Sequence, residues 1–167
     1  MWIIAFPRLF VILDDIGLVP FLTDNVDCSG YIVSASSECK TDHNFHKAFK
    51  AFNSYNSQWR VGNNEKPFWI QIQCLNPVRV YKITVRAAPE SRLLKWNMQG
   101  ATDGFHTWED LPFDTRYPII NSVYHFEINP KLVKEYLMYR IFVEEADGNN
   151  LGLTYWQLFT VKRVLIL

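Results

Sequence analysis

Apolar and polar residues alternate with period two through the middle and end of the chain, and each such run predicts a half-buried strand. Phe68, Ile70, Ile72 and Cys74 alternate with Trp69, Gln71 and Gln73, and Tyr81, Ile83 and Val85 with Lys82, Thr84 and Arg86. Leu94, Trp96 and Met98 form the inward set of a third strand that stops at Gly100. Tyr139, Ile141 and Val143 form that of a fourth. Turn chemistry separates the runs, at Asn76-Pro77, Ala88-Pro89, Asp103-Gly104, Asn129-Pro130 and Asp147-Gly148-Asn149-Asn150. One stretch breaks the rhythm. Ala48, Phe49 and Phe52 share a helical face, which predicts about two turns of helix over 46–52. Many short strands and one short helix predict an all-β fold, an antiparallel jelly-roll β-sandwich.

Composition narrows the partners. Of 167 residues, 49% are apolar, enough for a sizeable core and too many for a disordered linker. Seventeen basic residues balance seventeen acidic ones, so the broad positive field that holds a protein on nucleic-acid phosphates is missing. Nucleic acid is therefore not expected as a partner. No stretch approaches the ~20 apolar residues of a membrane span, so no membrane partner is expected either. Cys28, Cys39 and Cys74 are an odd number without a C-x-x-C pair and imply no disulfide framework, leaving a reduced chain or a single bridge open. The opening run, Met1 to Leu13, lacks the charge and cleavage pattern of a targeting signal, and the last residues, Val164 to Leu167, are equally apolar. Both ends read as arms that rest on something. The expected organisation is an arm at 1–18, a domain at 19–163 and a tail at 164–167.

Eight strings then fall in a telling order. Ser34 to Glu38 (SASSE), Lys47 to Asn53 (KAFKAFN), Gln58-Trp59 and Pro67 to Gln73 (PFWIQIQ) are followed by Val80 to Arg86 (VYKITVR) and Trp96 to Leu111 (WNMQGATDGFHTWEDL). Tyr139 to Val143 (YRIFV) and Tyr155 to Phe159 (YWQLF) close the series. This order resembles the discoidin-like domains, also called coagulation-factor C-type or galactose-binding-like, over about residues 20 to 163. The lead-in Val19 to Asn25 (VPFLTDN) resembles the version found in bacteriophage tail and appendage proteins. The resemblance implies a non-catalytic sandwich with core indoles at Trp59, Trp69, Trp96 and Trp108.

The same resemblance points to two places where chemistry could sit. Rim loops of the family dock ligands, and a sugar needs a flat apolar face plus a few directional polar groups. His43, His46, Arg60, Asn63, Asn64 and Arg86 are the candidates, with Arg86 at a strand end where its fork could hold two hydroxyls. The bland alternatives are an Arg86 pair with Glu90 or Glu145, and a turn at Asn63-Asn64. Family members often hold a structural calcium between the helix end and the last strand, and the matching side chains here are Asn53 and Gln157. Calcium favours carboxylates, so two neutral amides weaken such a site, and no cofactor is expected. No G-x-S-x-G elbow, phosphate-cradling glycine loop or paired-cysteine zinc spacing occurs, and an enzyme is not expected. Because of the apolar arms, the first expectation is a structural or attachment subunit of a larger assembly. A phage virion with homo-oligomeric or other virion partners fits best. A free-standing, extracellular glycan-binding module is the alternative.

Overall fold

The computed structural model describes residues 9–13, 17–41, 44–53, 57–62, 66–103 and 107–165. Their strands run β1 (Leu9–Leu13), β2 (Ile32–Ala35), β3 (Cys39–Thr41), β4 (Asn44–His46), β5 (Trp59–Arg60) and β6 (Phe68–Val78). The series continues with β7 (Val80–Ala87), β8 (Ser91–Ala101), β9 (Glu109–Asp110), β10 (Tyr124–Glu127), β11 (Tyr136–Gly148) and β12 (Gly152–Leu165). One sheet has the order β1-β12-β7-β10, with β5 also on β12, and the other is β2-β6-β11-β8-β9. A hairpin, β3-β4, stands apart. Every described pairing between these strands is antiparallel. The expected antiparallel sandwich is the fold observed.

The alternating sets meet face to face. Phe68, Ile70, Ile72, Tyr139, Ile141 and Val143 from one sheet pack on Ile83, Val85, Trp156 and Leu158 from the other, all essentially out of water. Large rings fill the interior: Phe52 lies 4.9 Å from Trp156, and Trp59 lies edge-on to Phe68 at 6.0 Å. Burial also pushes the Cys74 thiol up to about 12, so this cysteine packs as a small apolar group. All three cysteines are free thiols.

Three details differ from the sequence pattern. The expected helix is a single 3₁₀ segment, Ala48–Phe52, that buries Ala48, Ala51 and Phe52. Its start is held from a distance: Glu38 Oε1 accepts from Ala48 N at 2.7 Å, and Asn25 Oδ1 from Phe49 N at 2.9 Å. In β8, Leu93 and not Leu94 faces the core. An extra residue on each strand interrupts the β8–β11 register around Glu145, which turns Leu94 and Lys95 outward together. Trp69 and Trp108 are half-buried on the outer side, with the Arg140 guanidinium 4.1 Å from the Trp108 ring centre. Trp156 fills the core instead.

The N-terminal arm and the tail meet. Leu9–Leu13 pairs in register with Val161–Leu165, beyond the point where β7 leaves β12 at the Thr160–Val80 pair. Residues 1–8, 14–16 and 166–167 lie outside the described residues.

Candidate functional site

Two amide side chains stand where the resemblance places calcium ligands, and both are fully committed to backbone. Asn53 Oδ1 accepts from Leu22 N at 2.8 Å while its Nδ2 donates to Leu22 O at 2.7 Å. Gln157 Oε1 accepts from Val19 N and Leu158 N, each at 3.0 Å, and its Nε2 donates to Val19 O at 2.8 Å. A calcium ion needs oxygens converging on it. Here the two carbonyls on 17–22 already accept N–H groups, and each amide presents a donor as well as an acceptor. The donor set does not fit a cation. What it does fit is a clamp: residues 17–22, which bend at Leu18 and Val19, are held between the end of the 3₁₀ segment and β12, and the two amides satisfy their backbone as a neighbouring strand would. Gly17 is pressed against this clamp, since a Cβ there would meet the Gln157 amide carbon at 2.4 Å. Among the described residues no group of three His, Cys, Asp or Glu is placed to hold a metal.

Arg60 and Arg86 stand at a rim where β5, β7 and β11 end. The short β5 reaches it by pairing with the start of β12, Arg60 opposite Gly152. A glycine is needed there because a Cβ would come within 2.1 Å of Trp59 O. The β7–β8 and β11–β12 turns are pressed together nearby. Gly148 takes φ 111, and a Cβ on it would lie 1.8 Å from Glu90 O.

This scaffold aligns a chain of polar side chains. With its amide oxygen turned to the guanidinium, as the hydrogen-bond network requires, Gln58 accepts from Arg60 Nε at 3.1 Å and Nη2 at 2.7 Å. Arg60 Nη1 donates to Asn150 Oδ1 at 3.0 Å, and Asn150 Nδ2 donates to Glu90 Oε2 at 3.1 Å. These contacts use three of the five guanidinium N–H groups and one carboxylate oxygen. His46 lies beneath the rim, 8% exposed, with Nδ1 3.3 Å from Gln58 O. Burial and then the Arg60 charge hold its pKa below the ordinary value, which keeps the imidazole neutral at neutral pH. Its contact is with the backbone that carries Gln58, so it supports the rim from below.

Beyond Glu90 opens a groove of about 820 Å³ between the two turns and the segment 118–121. Asn121 lines it and accepts from Arg86 Nε at 2.8 Å, so Arg86 pairs with an amide at the groove edge. On the opposite side Arg92 Nη1 lies 3.4 Å from Asp147 Oδ2, while Asp147 Oδ1 is buried with no partner among the described residues. A buried carboxylate oxygen without a donor is costly, and being shielded from solvent it lies out of reach of a ligand in the groove.

Of the six rim residues expected from sequence, the structure brings Arg60 and His46 together and sets Arg86 at the groove. His43, Asn63 and Asn64 lie outside the described residues. Sequence reasoning missed Gln58, Glu90, Asn121, Asp147 and Asn150 as members of the site. Their only signal was indirect: Glu90 stood out as a possible partner of Arg86, and the Asp147–Asn150 run as a turn.

No known family model matches the chain. No curated protein matches its sequence. Solved structures do match in fold. CpGH89CBM32-5 from Clostridium perfringens, determined with GalNAc-β-1,3-galactose, superposes with TM-score 0.65 at 16% identity over 77% of this chain and 94% of that one. Chitosan-binding module 1 of a chitosanase/glucanase from Paenibacillus sp. IK-5 gives 0.61 at 14% identity, over 75% and 92%. The family 32 carbohydrate-binding module of C. perfringens NanJ, determined with galactose, gives 0.60 at 14%, over 78% and 94%. The chain therefore shares the galactose-binding-like β-sandwich of carbohydrate-binding modules, and the likeness is one of fold.

Proposed function

We propose that the chain is a non-catalytic glycan-binding module that works outside the cell, with its first sugar seated at the rim between Arg60, Glu90 and the groove below Arg86. One observation carries the reading. Gln58, Arg60, Asn150 and Glu90 form a fixed row of donors and acceptors, drawn from three separate stretches of the chain, beside an open groove. Such a row is prearranged for hydroxyls whose spacing is set by a sugar ring, and prearrangement lowers the entropy lost on binding. The neighbours in fold include modules determined with galactose and with GalNAc-β-1,3-galactose, which supports the same ligand class.

The expectation of a phage virion subunit gains nothing from these neighbours, and the glycan-binding alternative replaces it as the main reading. Assembly through the chain ends remains a secondary reading: Leu9–Leu13 pairs with the chain's own Val161–Leu165, and a neighbour would have to add to the ribbon where it runs past β7. Removing residues 1–13 and comparing the number of subunits in solution tests it; an unchanged subunit number discards it.

The main test is binding on a broad glycan array, followed by calorimetric titration with galactose, GalNAc-β-1,3-galactose and chitosan oligomers. Wild type binds at least one of these classes, and Arg60→Ala with an unchanged melting temperature weakens that binding tenfold or more. A folded wild type that binds nothing on the array, or an Arg60→Ala variant that binds as wild type does, overturns the reading.

A further inference from the structure

A second groove, of about 460 Å³, lies between β10 and the segment 114–120. Its floor is aromatic and rooted in the core. The Tyr124 and Phe126 rings stack at 6.1 Å with 14° between their planes, and Phe126 meets the buried Trp96 edge-on at 5.0 Å. Its wall is Tyr117, a residue 59% exposed. The Tyr117 carbonyl accepts from the Trp96 indole N–H at 3.0 Å, so a backbone anchored to the core presents a largely exposed aromatic ring, with the Arg116 guanidinium 6.0 Å from its centre. Soluble proteins ordinarily keep a ring this size against something.

The charges around the groove identify what it would take. Asp114 accepts from Arg116 Nε at 2.8 Å and from Nη2 at 2.7 Å, and Lys82 Nζ lies 3.9 Å from Glu127. Each carboxylate is matched by a cation, so no unbalanced charge is left to attract a phosphate or an ionic peptide. His125, between the two rings in sequence, points to the other face of β10, where its Nδ1 lies 2.9 Å from Thr84 Oγ1, so the face that carries the rings stays aromatic. An apolar aromatic floor, an open tyrosine and compensated polar side chains suit a neutral, hydroxyl-rich ring whose C–H face is apolar.

Position joins the two grooves. Pro118 and Ile120 line both. The ridge they form is tied down on two sides: Ile119 exchanges two backbone hydrogen bonds with Leu93, at 2.9 and 3.0 Å, and Ile120 O accepts from Ala87 N at 3.2 Å. The ridge thus stitches the two sheets, and a ligand that crosses it meets a rigid spacer. We infer that the grooves are consecutive subsites for one neutral oligosaccharide, with Tyr117 as the stacking platform of the second, so that the module reads a chain of sugars and not a single terminal residue. The inference rests on the glycan-binding reading above and adds length selectivity to it.

Calorimetric titrations of galactose against GalNAc-β-1,3-galactose, and of glucosamine against its β-1,4-linked trimer, test it. Each is run on wild type, Tyr117→Phe and Tyr117→Ala, with melting temperature as the folding control. For the sugar class that binds, the oligosaccharide is expected at least tenfold tighter than its monosaccharide. Tyr117→Ala removes most of that gain with monosaccharide affinity within about twofold of wild type, and Tyr117→Phe keeps the gain. Equal affinity for the two lengths, or a gain that survives Tyr117→Ala, overturns the second subsite and leaves the glycan-binding reading standing. Wild type that binds none of the four probes and nothing on the array overturns both.

Discussion

Four side-chain amides, two at each of two places, do opposite things in this molecule. At the clamp, Asn53 and Gln157 direct both oxygen and nitrogen at the backbone of the segment 17–22, and every contact closes on the protein. At the rim, Gln58 and Asn150 orient the charged groups of Arg60 and Glu90, which still have hydrogen-bonding capacity left. The difference lies in what surrounds them. Val19 and Leu22 are 3% and 0% exposed, so the clamp lies where an unmade hydrogen bond has no water to fall back on. The rim faces solvent, where a polar row costs little to maintain and is available to a ligand. The same chemistry therefore stabilises in one place and recognises in the other.

That contrast fails if the clamp can be cut cheaply. Gln157→Ala leaves Val19 N, Val19 O and Leu158 N without their partner and should cost about 2–4 kcal/mol in a denaturant titration. A loss under about 0.5 kcal/mol would mean that water replaces the amide and the clamp is decorative. Asn53→Asp keeps the acceptor for Leu22 N but sets a carboxylate oxygen against Leu22 O. It should cost about 1–2 kcal/mol, measured in the same way. On the rim, Arg60→Ala should change stability by less than about 1 kcal/mol while reducing sugar affinity, which separates recognition from stability.

Acid gives a smaller, signed effect at the same end. His46 has its pKa lowered in the folded chain by burial first, then by Arg60. The unfolded chain therefore binds the proton more readily, and stability conferred by the neutral imidazole is complete above the ordinary pKa of ~6.5 and lost as pH falls below it. Melting curves from pH 7.5 to 5 should show wild type losing more than His46→Gln; parallel losses would count against a buried neutral ring. The smallest expected effect is that of calcium. Melting temperature in chelator and in millimolar calcium should agree within about two degrees, because the clamp amides already satisfy the carbonyls a cation would use. A rise of many degrees with calcium would show a site that the amides do not block.

Much of the fold was legible before any coordinates. Period-two runs placed Tyr81, Ile83, Val85, Tyr139, Ile141 and Val143 on inner faces, and the structure buries them all. Inner-face strand positions obey a local rule, since neighbours along a strand must point to opposite faces. The one wrong phase, Leu94 for Leu93, occurred where bulges break that rule. The rings at Trp69 and Trp108 were misplaced for another reason: alternation assigns Trp69 to an outer face, and the resemblance overrode it.

The candidate site was legible only in fragments, because its residues share no local spacing. Arg60 and Asn150 are 90 positions apart, and Asn150 and Glu90 are 60. The segment 117–121, which borders both grooves, carries no periodic pattern at all. It takes its shape from pairing with Leu93 on one sheet and Ala87 on the other. By itself the sequence determined which residues face inward, where the chain turns, and that amides stand at 53 and 157, since each of these follows from a residue and its near neighbours. Only the tertiary structure decided that those amides grip the segment 17–22, that the rim row joins three separate stretches of the chain, and that the two grooves meet at Ile120. Each of these depends on antiparallel pairings that bring distant parts of the chain side by side, and no local pattern encodes that.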